Sequence, residues 1–207
     1  MLDDIWTVEH LLGVLFFLQI DCCEIWIEKG REIPGLDGGG WEIYRRIKEA
    51  GIEELSKEKE IVKLSGIYRE DDRIFLVYPS SGFSAFYLVD YPHPLFPAWY
   101  LADMENPEPV MRARTYTFLS WVEGLREEGL ALGGDEKQVL IFTEDGALNF
   151  KDRSEPARHK ILDLAGDLYL FSKNARGFFV VVKGGHAFHM RALEKIMEPE
   201  RDFLRLI

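Results

Sequence analysis

The clearest local signal in the chain is the stretch HKILDLAGD, which runs from His159 to Asp167. His159, Asp163 and Asp167 follow one another in steps of four residues. Because an α-helix has about 3.6 residues per turn, these three polar side chains share one helix face among leucines. A histidine and a carboxylate one turn apart can bind one divalent cation, but the same spacing also occurs in surface ion pairs. The spacing alone favours neither interpretation.

The composition indicates a soluble globular protein. The chain has 207 residues, 47% of them hydrophobic and 29% charged, which suits one large domain or two small ones and excludes a disordered chain. The formal net charge of −11 argues against binding to nucleic acid or an anionic membrane, since such proteins need a basic face.

Two further features bear on the cellular location. Cys22 and Cys23 are the only cysteines and are adjacent, so the sequence offers neither a disulfide framework nor a cysteine-rich zinc site. The apolar run at 11–20 is too short to span a bilayer, and it follows two acidic residues instead of the basic segment of a signal peptide. We therefore expect a cytoplasmic protein without stable membrane insertion.

Periodicity along the chain predicts an α+β fold in which sheets are backed by helices in two layers. The charged stretch 53–60 is typical of a linker, so we expect a partial first α+β domain over 1–57 and a second over 58–207. Thr7 is expected to cap the first helix. The predicted helices are 8–18, 41–50, 116–128, 156–171 and 190–197, and the predicted strands are 22–28, 61–68, 73–78, 83–89, 138–143 and 178–183.

Two more histidines could complete a metal site. The pair Glu9-His10 opens the first, apolar helix, and His186 follows two glycines at the end of a strand. Two histidines and one carboxylate, with water in the fourth position, form a common catalytic zinc site, and a neighbouring glutamate can deprotonate that water. Each residue alone has an ordinary explanation as a cap, a surface residue or part of a turn. Their joint presence favours the metal site.

Seven motifs in this order resemble those of the zinc-dependent UDP-3-O-acyl-N-acetylglucosamine deacetylases of lipid A biosynthesis. They extend over essentially the whole chain, so the resemblance is far more specific than a lone metal-site pattern. The motifs are TVEH at 7–10, EIPGLDG at 32–38, ART at 113–115, LALGG at 130–134, EP at 155–156, HKILD at 159–163 with GDLYL at 166–170, and KGGH at 183–186.

The resemblance implies an activity and a site. The activity is metal-dependent hydrolysis of the N-acetyl amide of a UDP-linked, acylated aminosugar. Zn²⁺ is the implied cofactor, although histidine and carboxylate ligands also accept Fe²⁺. At matching positions the metal ligands are His10, His159 and Asp163, the general base is Glu9, the general acid is His186, the residue orienting it is Asp167, and the hydroxyl beside the oxyanion is Thr115.

The resemblance also implies residues that bind the substrate. Lys160 corresponds to a lysine near the sugar and the diphosphate. A βαβ insert at about 116–142 corresponds to the segment that forms a hydrophobic passage for the acyl chain. The candidates to line this passage are Phe118, Val122 and Leu125.

The chain departs from the family pattern at a few positions. The family's chain begins well upstream of its TVEH motif, whereas Thr7 lies near the start here, so we expect about half of the first domain to be missing. We further expect a second copy or a partner chain to cover the strand at 22–28. His189 stands where the family commonly has Asn. An alternative function is therefore a metal-binding descendant that is non-catalytic or has altered specificity.

Overall fold

The computed structural model describes residues 4–57, 59–122 and 137–197. These residues form helices and two β-sheets, which confirms the predicted α+β fold. The helices are α1 (Glu9–Phe17), α2 (Trp41–Ala50), α3 (Glu108–Met111), α4 (Glu155–Ser172) and α5 (His186–Met197). The strands are β1 (Val62–Lys63), β2 (Gly66–Glu70), β3 (Arg73–Tyr78), β4 (Phe83–Val89), β5 (Ala98–Asp103), β6 (Thr115–Phe118), β7 (Val139–Phe142), β8 (Ala147–Leu148) and β9 (Ala175–Val182).

The larger sheet has the strand order β2-β3-β9-β4-β5, and β1 pairs with the start of β9. β9 lies antiparallel to β3 and parallel to β4. Phe179 and Val181 of β9 point to the same face, as residues two apart in a strand do, and both are fully buried. This face belongs to one hydrophobic core that also contains Phe16 of α1 and Leu164 of α4. The sheet therefore holds α1 and α4 in a shared core, and the domain boundary at residue 57 stays a prediction.

The smaller sheet has the order β6-β7-β8. β6 and β7 are parallel, and parallel neighbours require a crossover connection, as the predicted βαβ insert has. The predicted helix at 116–128 begins too early, because 115–118 form β6 and only 119–122 are helical among the described residues. The β-branched and aromatic side chains of TYTF favour the strand. The remainder of that predicted helix lies outside the described residues.

The predicted strand at 22–28 is wrong. This segment has no regular structure, and Ile25 and Trp26 within it are exposed. Its alternating pattern suggested a strand, but a strand also needs a neighbour for its backbone hydrogen bonds, and in the described part of the chain none pairs with it. Cover by another subunit remains a prediction.

Smaller differences concern the ends of elements. The N-cap of α1 is Val8 and not Thr7. Thr7 has a φ of 55° and donates its hydroxyl hydrogen to the carbonyl oxygen of Ile33 at 2.9 Å, which ties the start of α1 to the next loop. The predicted strand 61–68 is interrupted between β1 and β2, and the last helix begins at His186 and not at 190. The strands β5 and β8 and the helix α3 were not predicted. In the described ranges, no helix is both long enough and apolar enough to span a bilayer.

Candidate metal centre

The close crossing of α1 and α4 brings the first helix onto the HKILD motif. A methyl group added at Gly13 of α1 would lie 2.6 Å from the carbonyl oxygen of Leu162. A methyl group added at Gly166 of α4 would overlap the carbonyl oxygen of Glu9. The two glycines therefore permit a backbone separation that larger residues would prevent. As a result His10, in the first turn of α1, lies beside His159, with ring centroids 4.8 Å apart.

Three side chains present ligand atoms to one point. The Nε2 atom of His159 lies 3.5 Å from Oδ1 of Asp163, and Nε2 of His10 lies 3.6 Å from the same oxygen. Asp163 is only 2% exposed, and its Oδ1 atom has no hydrogen-bond partner among the described residues. Leaving a buried carboxylate oxygen unpaired is costly. A divalent cation held by His10, His159 and Asp163 would satisfy it, so the donor set fits a metal ion.

The tautomer of His159 suits a metal ligand. Its Nδ1 atom donates to the carbonyl oxygen of Ala113 at 3.1 Å, which leaves the lone pair on Nε2 directed at Asp163. Burial lowers the pKa of His159 to about 3, so the imidazole is neutral at physiological pH. A neutral imidazole whose second nitrogen is held by a carbonyl is the usual form of a metal-binding histidine.

The other oxygen of Asp163 has a different environment. Oδ2 accepts a hydrogen bond from Nζ of Lys160 at 2.7 Å. Burial alone would raise the pKa of Asp163, but Lys160 and the histidines around the carboxylate together outweigh burial, and the pKa lies well below the usual range. Asp163 is therefore ionised, the form that binds a cation. The substrate-binding role of Lys160 stays a prediction.

His186 is the first residue of α5 and lies near Oδ2 of Asp163, whereas His10 and His159 lie near Oδ1. Its Nδ1 atom lies 3.0 Å from each carboxylate oxygen of Asp167, and its Nε2 atom lies 3.7 Å from Oδ2 of Asp163. Burial alone would lower the pKa of His186, but the hydrogen bond to Asp167 and the charge of Asp163 raise it to about 9. With 44% of its side chain exposed, His186 is a protonated and accessible acid beside the proposed ligands.

Two further predicted catalytic residues lie on α1 and on β6. Glu9 precedes His10 at the start of α1 and is partly buried. Thr115 opens β6 two residues after Ala113, and its N–H donates to the carbonyl oxygen of Gly38 at 2.6 Å. The chemical roles of Glu9 and Thr115 stay predictions.

The predicted acyl passage falls on an aromatic cluster. The ring of Phe118 has its centroid 4.5 Å from that of Trp121, 5.1 Å from that of Tyr91 and 5.2 Å from that of Phe142. Val122 is half-buried at the end of the same described segment, whereas Leu125 lies outside the described residues. The lining of a passage by these three residues therefore stays a prediction.

A buried ion pair fixes the segment that supports His159. Arg114 donates from Nε and Nη2 to the two carboxylate oxygens of Glu155 at 2.8 and 3.0 Å, and the two residues are 4% and 1% exposed. This pair joins the residue after Ala113 to the first residue of α4. Both residues lie in motifs recognised from the sequence, but their pairing spans 41 positions and has no local signal.

Sequence reasoning also missed the surroundings of Asp167. His189 donates from Nδ1 to Oδ2 of Asp167 at 2.7 Å, and its Nε2 atom lies 2.9 Å from the hydroxyl oxygen of Tyr87. The three-residue spacing of His186 and His189 could have indicated a shared face only if the last helix had been predicted to begin at His186 and not at 190. Tyr87 lies about 100 positions away and gives no such signal.

Comparison with known proteins identifies a family that matches this chain. Residues 3–198 match the family described as LpxC, UDP-3-O-acyl N-acetylglycosamine deacetylase. A protein of Aquifex aeolicus is 32% identical over 94% of this chain and 70% of its own length. A protein of Oleidesulfovibrio alaskensis is 34% identical over 97% of this chain and 68% of its own length. Both relatives are named UDP-3-O-acyl-N-acetylglucosamine deacetylase.

Proposed function

The chain belongs to the UDP-3-O-acyl N-acetylglycosamine deacetylase family, and from this premise we propose that it is a metal-dependent amidohydrolase. Its substrate is a UDP-linked, 3-O-acylated N-acetylglucosamine, whose N-acetyl amide it hydrolyses in lipid A biosynthesis. The observation that carries the metal dependence is the buried, unpaired Oδ1 atom of Asp163, which faces Nε2 of both His10 and His159.

The proposed cation is Zn²⁺ or Fe²⁺, since both accept two imidazoles and one carboxylate. When bound, such an ion supplies a Lewis acid that lowers the pKa of a bound water to about 7. The chain itself holds two of the three ligands in place before binding, because His159 is fixed by the carbonyl oxygen of Ala113 and Asp163 by Lys160.

Two residues divide the proton transfers. Glu9 accepts the proton of the attacking water, and His186 donates a proton to the amide nitrogen as the C–N bond breaks, so that acetate and a free amine leave. Asp167 keeps Nδ1 of His186 occupied, which leaves Nε2 to deliver the proton. The hydroxyl group of Thr115 stabilises the carbonyl oxygen as it gains negative charge.

The same proposal places the rest of the substrate. Lys160 is partly buried next to Asp163 and binds the sugar and diphosphate of the substrate. Phe118 and Val122 line part of an apolar passage for the 3-O-acyl chain. The aromatic cluster around Phe118 supports this assignment, since apolar side chains that are only half-buried can be covered by an acyl chain.

The test is an assay of the zinc-loaded and the iron-loaded protein with UDP-3-O-acyl-N-acetylglucosamine, in which acetate release is measured. We expect activity in the wild type and a loss of about 10²–10⁴-fold in Glu9→Gln with unchanged metal content. Glu49→Gln, on the exposed side of α2, is the matched control and should keep full activity. An inactive wild type that still binds one equivalent of metal would instead support a non-catalytic, metal-binding descendant.

A further inference from the structure

We propose that His189 is a positioning residue that holds the carboxylate of Asp167 beneath His186 through a buried hydrogen-bond chain that starts at Tyr87. This inference rests on the proposed role of His186 as the proton donor. It concerns a histidine and a tyrosine outside the proposed metal ligands and acid–base groups.

Four residues from three elements form the hydrogen-bond chain. Tyr87 of β4 lies 2.9 Å from Nε2 of His189, and Nδ1 of His189 lies 2.7 Å from Oδ2 of Asp167. Both oxygens of Asp167 lie 3.0 Å from Nδ1 of His186. His186 and His189 are three residues apart on α5, so their rings share a helix face and meet the same carboxylate.

The donor of each hydrogen bond follows from the two groups on either side of His189, the carboxylate of Asp167 and the phenol of Tyr87. A carboxylate only accepts hydrogen bonds, so Nδ1 of His189 must carry the proton that lies towards Asp167. Burial lowers the pKa of His189, which keeps the ring neutral and leaves a lone pair on Nε2. Burial also raises the pKa of Tyr87 well above its usual value, so the phenol keeps its proton and donates it to that lone pair.

The same groups could be considered as a second cation site, because ligand atoms of Asp167, His186 and His189 lie within 4.8 Å of one another. The proton positions argue against this interpretation. Both Nδ1 atoms direct an N–H group at the carboxylate, and Nε2 of His189 accepts from Tyr87. No lone pair of His189 is therefore left for a metal ion, and the geometry favours a hydrogen-bond chain.

The surrounding structure is shaped to hold the His189 ring. His189 is 0% exposed, and its ring lies between those of Phe75 and Tyr87, at centroid distances of 6.1 and 5.7 Å. A methyl group at Gly184 would lie 2.5 Å from the hydroxyl oxygen of Tyr87 and 2.8 Å from Nε2 of His189. Only a glycine at this position leaves room for the bond between the tyrosine and the histidine.

The hydrogen-bond chain matters for catalysis because the carboxylate of Asp167 would otherwise rotate easily about its last torsion angle. With His189 bonded to Oδ2, the Asp167 plane is fixed, and with it the bidentate contact to Nδ1 of His186. Without this donor, Asp167 keeps one partner and can turn. The Nε2 atom of His186 would then be less often aimed at the leaving nitrogen, whereas substrate and metal binding would be unaffected.

The first test is kinetic and uses the metal-loaded protein with UDP-3-O-acyl-N-acetylglucosamine. We expect His189→Leu to lower kcat by about 10–100-fold with KM and metal content unchanged. His189→Asn, whose amide can still donate to Asp167, should recover most of the activity. Tyr87→Phe should lower kcat by a smaller factor, and Tyr78→Phe, at an exposed tyrosine of β3, is the matched control. Wild-type kcat in His189→Leu, or no recovery in His189→Asn, would overturn the proposal.

The second test does not depend on activity or on the folding of a variant. Nitrogen-15 NMR of the imidazoles in the wild-type protein should show His189 as the neutral Nδ1–H tautomer, with a strongly deshielded proton on that nitrogen. A neutral Nε2–H tautomer or a charged ring would overturn the proposal. If the wild type shows the expected tautomer but releases no acetate, the proposed function fails while the hydrogen-bond chain stands.

Discussion

The Nε2 atom of His159 lies 3.5 Å from Oδ1 of Asp163, one turn further along α4. This separation is too long for a hydrogen bond, although both side chains are buried. Two ligands that each lie about 2.0–2.2 Å from a tetrahedral zinc ion are themselves roughly 3.3–3.6 Å apart. The distance is therefore the one expected between two ligands, and His10 completes the set at 3.6 Å from the same oxygen.

The first prediction is that metal binding depends on His159. The purified protein should carry about one zinc or iron per chain, and His159→Ala should abolish it, because the remaining ligands are too few for tight binding. Elemental analysis measures the content, and added zinc should raise the midpoint of thermal unfolding of the wild type but not of His159→Ala. His93→Gln, at a histidine in the aromatic cluster, is the matched control. Metal content unchanged in His159→Ala would refute this ligand.

The second prediction concerns the titration of His186 in the metal-free protein. Burial lowers its pKa, but Asp167 and Asp163 together raise it from 6.5 to about 9. Because the folded-state pKa lies above the unfolded value, protonation of His186 stabilises the fold. This contribution is complete below about pH 6.5 and is lost as the pH rises through about 9.

NMR titration of the imidazole measures this pKa directly. Asp167→Asn removes the negative charge and should lower the midpoint by about one unit or more. Asp71→Asn, in an exposed turn, changes the net charge equally and should leave the midpoint in place. A wild-type midpoint near 6.5 would contradict the prediction.

The candidate site was more predictable from sequence than parts of the fold. The spacing of His159 and Asp163 is local, since residues four apart on one helix share a face wherever the helix lies. Contacts between distant segments leave weaker signals. The segment 22–28 could form a strand only beside a pairing neighbour, and a local pattern does not show whether one exists. Residues 116–118, predicted as the start of a helix, instead belong to β6, which pairs with β7. The bond from His189 to Asp167 depended in the same way on how α5 packs against α4.

The third prediction is that the Arg114–Glu155 pair stabilises the fold strongly. Glu155→Gln leaves a buried guanidinium without its counter-charge and should lower the free energy of unfolding by about 3–5 kcal/mol. Glu108→Gln breaks the exposed pair with Arg112 on α3 and should cost less than about 1 kcal/mol. Urea denaturation compares the two variants. Equal losses would show that the buried pair adds nothing beyond an ordinary surface contact.

The fourth prediction is that Gly166 sets the position of His10. In Gly166→Ala the new methyl group overlaps the backbone oxygen of Glu9, which cannot rotate away as a side chain can, so α1 must shift from α4. We expect the free energy of unfolding to fall by about 1–3 kcal/mol and zinc affinity to fall by about 10–100-fold, since His10 moves with α1. Urea denaturation and competition with a zinc chelator measure the two effects.

Gly82→Ala is the matched control, because a methyl group there meets no atom within 4 Å. The alanine side chain carries no ligand atom. A loss of zinc affinity in Gly166→Ala but not in Gly82→Ala would therefore show that the metal site depends on the distance between α1 and α4. Wild-type affinity in this variant would show that the ligands are positioned independently of the crossing.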